Sequence, residues 1–71
     1  MELLDASLLE RLYPRWLVWR SDESGQWWAA RRDNITTRQK EAGWEAFLSA
    51  ECLDRLAQLL ADQAALTGAP A

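Results

Sequence analysis

The side chains in this sequence that could do chemistry are one thiol, a set of carboxylates and a segment rich in tryptophan and arginine. There is no histidine, and Cys52 is the only cysteine, which excludes a Ser-His or Cys-His pair and a zinc site built from cysteine and histidine. We predict that Cys52 lies where the last helix begins, a position that can activate a thiol. A role as a small buried hydrophobic residue is the favoured interpretation.

The carboxylates have the spacing of solvated faces on amphipathic helices. They are Glu41, Glu45, Glu51, Asp54 and Asp62. The sequence contains no glycine-rich phosphate loop and no cluster of metal ligands. We therefore predict that the chain is not an enzyme, holds no metal and needs no cofactor.

The strongest functional signal is the mixture of tryptophan and arginine in residues 15–21 and 26–32, RWLVWRS and QWWAARR. Successive side chains of a strand point to opposite faces, so both faces of this hairpin carry large aromatic residues. Tryptophan and arginine are enriched in the energetic centres of protein interfaces. The predicted partner-binding residues are Arg20, Trp27, Arg31 and Trp16. For each tryptophan taken alone, packing in the core of a small domain is the alternative.

The elements that must position these residues can be predicted from periodicity and turn signals. They are a helix over 3–12, strands over 15–21 and 26–32, helices over 37–47 and 50–66, and a disordered tail over 67–71. Pro14 ends the first helix, and Gly25 serves the turn between the strands. Thr36 and Gln39 have the spacing of a capping box. The sequence leaves open whether residues 37–66 form one bent helix or two.

The predicted fold class is α+β, a single small domain over residues 1–71 with a two-stranded antiparallel hairpin packed on an N-terminal helix and two C-terminal helices. A lone hairpin is marginally stable in water, and so few helices cannot cover both of its faces. We therefore expect a homo-oligomer, in the simplest case a homodimer.

The charge and the hydropathy of the sequence limit the classes of partner that we expect the chain to bind. The formal net charge of −3 argues against general phosphate binding, so nucleic acid is an unlikely partner. The N-terminal segment is acidic rather than a basic leader, and no window approaches the roughly 20 apolar residues of a membrane span. We expect a cytoplasmic protein that binds a protein partner. The alternative is binding of single-stranded nucleic acid or a small aromatic ligand on the tryptophan face.

The hairpin resembles a segment of a group of short, tryptophan-rich actinobacterial proteins. The matching residues run from Tyr13 to Asp22 and from Gly25 to Arg31, in the form PxWxxWRSDxxGxWWAxR, and the likeness extends through Ala42-Gly43 to Asp62-Gln63. The resemblance implies an actinobacterial setting and a role as an accessory to a transcriptional regulator. It implies no catalytic or binding residue.

Overall fold

The computed structural model describes residues 4–67. Its elements are α1 (Ala6–Leu12), β1 (Trp16–Arg20), β2 (Trp27–Arg31), α2 (Thr37–Glu41), β3 (Phe47–Ala50) and α3 (Leu53–Thr67). The mixture of helices and antiparallel strands confirms the α+β class. The two-stranded sheet that the sequence predicts is wrong, because the sheet has three strands in the order β1-β2-β3.

The predicted hairpin is present, with each strand one residue shorter at both ends than expected. Trp16 lies opposite Arg31, and Trp19 lies opposite Trp28. The turn is closed by the Gly25 N–H, which donates to the Ser21 carbonyl at 2.8 Å. Gly25 has a φ of +72°, a backbone conformation that favours glycine.

The helix predicted over 37–47 is wrong beyond its first turn. The predicted capping box is confirmed, because the Thr36 hydroxyl accepts from the Gln39 N–H and the Gln39 side chain accepts from the Thr36 N–H. The helix then ends at Glu41. Gly43 has a φ of +104°, so the chain turns out of the helical path.

The residues that follow form β3. Phe47, Leu48, Ser49 and Ala50 alternate between exposed and buried, which is the period of a strand packed on one side. The strand pairs antiparallel with β2, with Leu48 opposite Ala29. For this reason the last helix begins at Leu53 and not at residue 50.

Two helices cover one face of the sheet. α1 contacts β1, and α3 contacts β2 and β3. The hydrophobic core consists of Leu9, Trp16, Val18, Ala29, Leu48, Ala50, Leu56 and Leu60. α1 begins at an Asp5 cap, whose carboxylate accepts from the Leu8 N–H at 2.8 Å.

The predicted ends of the chain lie partly outside the described residues. Residue 3, the predicted start of the first helix, is outside them, and α1 begins at Ala6. Of the tail predicted over 67–71, only Thr67 is described, as the last residue of α3.

Candidate functional site

The predicted partner-binding residues lie on the face of the sheet that the helices cover. Trp16 is 3% exposed, and Trp27 is partly buried against the core. Arg20 is exposed at the end of β1, where its Nε donates to the Gly25 carbonyl at 3.3 Å. Of the four predicted residues, Arg20 is therefore exposed, Trp27 and Arg31 are half-buried and Trp16 is buried, and their binding of a partner stays a prediction. The alternation of β1 turns Trp16 and Val18 together toward the helices.

The fourth predicted residue, Arg31, lies at the centre of a cluster with Trp16, Trp44 and Gln63, which we call the Arg31 cluster. Its guanidinium carbon is 4.4 Å from the centroid of the Trp16 ring and 4.5 Å from that of Trp44. Both distances lie within the range of a cation–π contact. The guanidinium is therefore held between two indole rings.

Hydrogen bonds connect the Arg31 cluster to the loop before β3. Arg31 Nε donates to the Glu45 carbonyl at 2.8 Å, and Nη2 donates to Gln63 Oε1 at 2.9 Å. The same Gln63 oxygen accepts from the Glu45 N–H at 2.8 Å, and Gln63 Nε2 donates to the Gly43 carbonyl at 3.2 Å. The cluster thus ties residues 43–45 to α3.

The environment of Arg31 indicates a structural role. Burial lowers the pKa of the Arg31 guanidinium, because desolvation disfavours the charged form. Gln63, which is 7% exposed, satisfies the cation with a neutral oxygen. A half-buried arginine that contacts two rings and donates to Glu45 and Gln63 fixes the path of the chain into β3.

The opposite face of the sheet has no helix of residues 4–67 packed over it. We call it the open face. It consists of Leu17, Trp19, Trp28, Ala30, Phe47 and Ser49. The register arranges these residues in two rows across the strands, Leu17-Ala30-Phe47 and Trp19-Trp28-Ser49. Five of the six are apolar and adjacent to one another.

Exposure on the open face is high for residues of this size. Trp19 and Leu17 are each 42% exposed, and Phe47 is 63% exposed. Near one end of the face, Arg15 Nη1 lies 3.5 Å from the carboxylate of Asp33, and both side chains are exposed. An apolar centre with charged groups at its border is the usual anatomy of a protein interface.

The sequence analysis missed Phe47 as a surface residue, because it placed Phe47 at the end of the helix predicted over 37–47. The signal that could have found it is Gly43, a residue that weakens a helix and lies between the capping box at Thr36 and Phe47. Trp44 and Gln63 were missed as partners of Arg31, and no local spacing joins residues so far apart in the chain.

A groove of about 460 Å³ lies beside β3. It is lined by Ile35, Lys40, Trp44, Glu45, Ala46 and Phe47. The groove adjoins the open face at Phe47 and the Arg31 cluster at Trp44. It brings an aromatic ring, a cation and a carboxylate to one place.

Other chemistry is sparse in the described part of the chain. Cys52 is exposed just before α3, so its predicted position is confirmed and its favoured interpretation as a buried residue is wrong. Among residues 4–67, no group of histidine, cysteine, aspartate or glutamate could hold a metal ion. No helix in the same range combines the length and the apolar character that crossing a membrane requires.

No family model matches this chain, and no curated protein or solved structure matches it at a significant level. The resemblance to short tryptophan-rich actinobacterial proteins therefore stays a prediction.

Proposed function

We propose that this chain is a small protein-interaction module and that the open face is its binding surface. The observation that carries the proposal is the contiguous apolar area around Trp19, Trp28 and Phe47, over which no described helix packs. Large exposed apolar patches on small proteins mark interaction sites. A partner that covers this face would remove two rows of apolar side chains from water.

The residue types on the open face suit binding. Trp19 and Phe47 present large rings that have few rotatable bonds, so ordering them on binding costs little entropy. Tryptophan is among the residues that dominate interface energetics. The resemblance supplies a transcriptional regulator as the class of partner, and the role we propose is that of its accessory.

The predicted self-association would use the same face. Two sheets can pack face to face with their strands within about 30° of each other, and such packing would bury Trp19 and Phe47 of both copies. Sedimentation from low micromolar to near-millimolar concentration tests it, with Trp19→Ser as the variant that should shift the distribution toward monomer. A single species of about 8.1 kDa across the whole range would contradict it.

Site-specific photocrosslinking in the native cell tests the interaction function. A photoreactive phenylalanine analogue replaces Phe47 on the open face or, as the matched control, the exposed Gln58 on α3. We expect one discrete crosslinked protein from position 47 and none from position 58. The same products from both positions, or none from position 47, would contradict the proposal.

The groove beside β3 favours a second candidate, binding of a small aromatic ligand. Trp44 and Phe47 offer rings beside the Lys40 cation in this open groove. Titration with an aromatic carboxylate such as indole acetate should quench fluorescence in the parent protein but not in Lys40→Gln. An equal response in both would contradict a site of this chemistry.

A further inference from the structure

The two edges of the sheet differ in how their outward amides are satisfied. On the β1 edge, the Val18 N–H donates to Glu10 Oε2 at 3.0 Å, and the Trp16 N–H donates to the Tyr13 carbonyl at 3.0 Å. Glu10 belongs to α1, which contacts β1. The β1 edge is therefore occupied by the chain itself, which is one of the ways proteins protect an edge strand.

Within residues 4–67, the β3 edge has no such cover. The Arg31 N–H donates to the Ala46 carbonyl at 2.9 Å, and the register continues with Leu48 and Ala50 facing β2. Because the hydrogen-bonded positions of an antiparallel pair alternate, the N–H and C=O of Phe47 and Ser49 point away from the sheet. Nothing within residues 4–67 pairs with them. Such a row of backbone groups is a template for a further strand.

The Arg31 cluster defines where the open edge begins. The N–H and C=O of Glu45 are taken by Gln63 and Arg31, at 2.8 Å each. An added strand could therefore start its backbone pairing at Phe47 and continue through Ser49. Phe47 also belongs to the open face, so the edge and the face form one continuous surface.

The charged residues beside the β3 edge determine which kind of added strand can pair with it favourably. The exposed Glu45 and Glu51 lie on either side of β3, and the exposed Lys40 lines the same groove as Glu45. If a second copy added its own β3 antiparallel, the register that pairs Phe47 with Ser49 would also place Glu45 opposite Glu51, twice. Like charges directly opposite each other destabilise a strand pair. Basic residues at the same positions would be favourable.

We propose that the β3 edge binds an extended segment of a partner protein that adds a fourth strand to the sheet. The segment carries basic residues six positions apart, which face Glu45 and Glu51, and β-branched residues between them, which lie beside Phe47 and Ser49. This inference rests on the proposed function in that the chain binds proteins, and it adds the mode of binding and the chemistry of the partner.

The probe is the capped peptide Lys-Thr-Val-Thr-Val-Thr-Lys, which reads the same in both directions and so fits a parallel or an antiparallel strand. The control peptide has glutamate in place of both lysines. Titration followed by amide chemical shifts should show the lysine peptide binding about tenfold more tightly. The largest shifts should fall on Phe47, Ser49 and Glu51. Equal affinity for the two peptides would overturn the charge selection.

The matched variants are Ser49→Pro and Ser49→Ala. Proline removes an N–H that faces away from the sheet, and an edge strand tolerates proline at such a position. We expect Ser49→Pro to bind the peptide at least about tenfold more weakly than Ser49→Ala, which has the same loss of the hydroxyl but keeps the backbone N–H. Full affinity in a folded Ser49→Pro variant would overturn the proposal.

A charge-reversed variant keeps the proposal testable if Ser49→Pro does not fold. Glu45→Lys combined with Glu51→Lys should reverse the preference, so that the glutamate peptide binds more tightly; an unchanged preference would overturn the proposal. A parent that sediments as a dimer, with Ser49→Ala dimeric and Ser49→Pro monomeric, would assign the edge to a second copy and also overturn it.

Failure of this inference can be told apart from failure of the proposed function. A photocrosslinker at Leu17 lies on β1, the strand farthest from the β3 edge. Crosslinking of a discrete partner from Leu17, without any binding of the lysine peptide, would overturn the edge proposal and leave the interaction function standing. Absence of both would overturn both.

Discussion

On the covered face of the sheet, Trp16 is 3% exposed and stacks on the Arg31 guanidinium, whereas on the open face Trp19 is 42% exposed and lies opposite Trp28. These two tryptophans are three residues apart on one strand, and the alternation of the strand separates them. One contributes to the core and the other to a surface. The same residue type therefore occupies two different environments within one five-residue strand.

The two faces of the sheet also differ in their content of arginine. Arg31, beside tryptophan in space, is engaged by Glu45 and Gln63 and holds the loop into β3. The open face has no arginine between its aromatic residues. The tryptophans beside Arg31 thus belong to internal packing, and the exposed aromatic residues without arginine form the candidate interface.

The largest expected loss of stability comes from a substitution that tests the difference between the two faces directly. Trp16→Ala should lower the free energy of unfolding by about 3–5 kcal/mol, which is most of the stability of a domain this small. Trp19→Ala, the matched control, should cost about 1 kcal/mol. Urea unfolding followed by circular dichroism measures both. Equal losses would mean that both faces are core.

A smaller loss is expected from the Arg31 cluster. Arg31→Met removes two hydrogen bonds that a charged group donates, so the Glu45 carbonyl and the Gln63 side chain lose a donor. We expect the free energy of unfolding to fall by about 2–3 kcal/mol. Arg31→Lys should recover only part of this, because an ammonium cannot reproduce the planar fork between two rings. Thermal unfolding of the two variants checks the order. A lysine variant as stable as the parent would contradict it.

The β1 edge should respond to Glu10. Glu10→Ala leaves the Val18 N–H without its acceptor and should cost about 1 kcal/mol, while Glu10→Gln keeps an acceptor oxygen and should cost less. Amide hydrogen exchange at Val18 is the specific readout. We expect faster exchange in the alanine variant than in the glutamine variant, and no difference between them would show that Glu10 does not protect this edge.

The smallest change in stability is expected at Phe47. Phe47→Ser removes an exposed ring and should alter the free energy of unfolding by no more than about 0.5 kcal/mol. The same variant should reduce binding of a hydrophobic dye, because the ring is a large part of the open face. A loss of stability comparable to that of Trp16→Ala would place Phe47 in the core.

Much of the architecture follows from local signals in the sequence. Gly25 between two aromatic-rich segments predicts the hairpin, and Thr36 with Gln39 predicts the start of α2. The third strand was missed because the capping box favours a helix and residues 47–50 are too few to show a clear period of two. Gly43 ends that helix after little more than one turn, and only its positive φ makes this evident.

The site is harder to predict than the fold. Alternation shows that both faces of the hairpin carry aromatic residues, but the choice between the faces depends on where α1 and α3 pack. That packing depends on contacts distant in sequence, such as Arg31 with Gln63. For this reason the sequence predicts aromatic residues on both faces of the hairpin but leaves open which face the helices cover.

Solvent accessibility of the individual tryptophans tests the central claim most directly. Relaxation of the indole protons by a soluble paramagnetic probe can be measured on the isolated protein at low micromolar concentration and again with its crosslinked partner bound. We predict strong relaxation at Trp19 and weak relaxation at Trp16 in the free protein, with loss of the Trp19 effect on binding. Strong relaxation at Trp16, or a Trp19 effect that the partner leaves unchanged, would contradict the assignment of the open face as the binding surface.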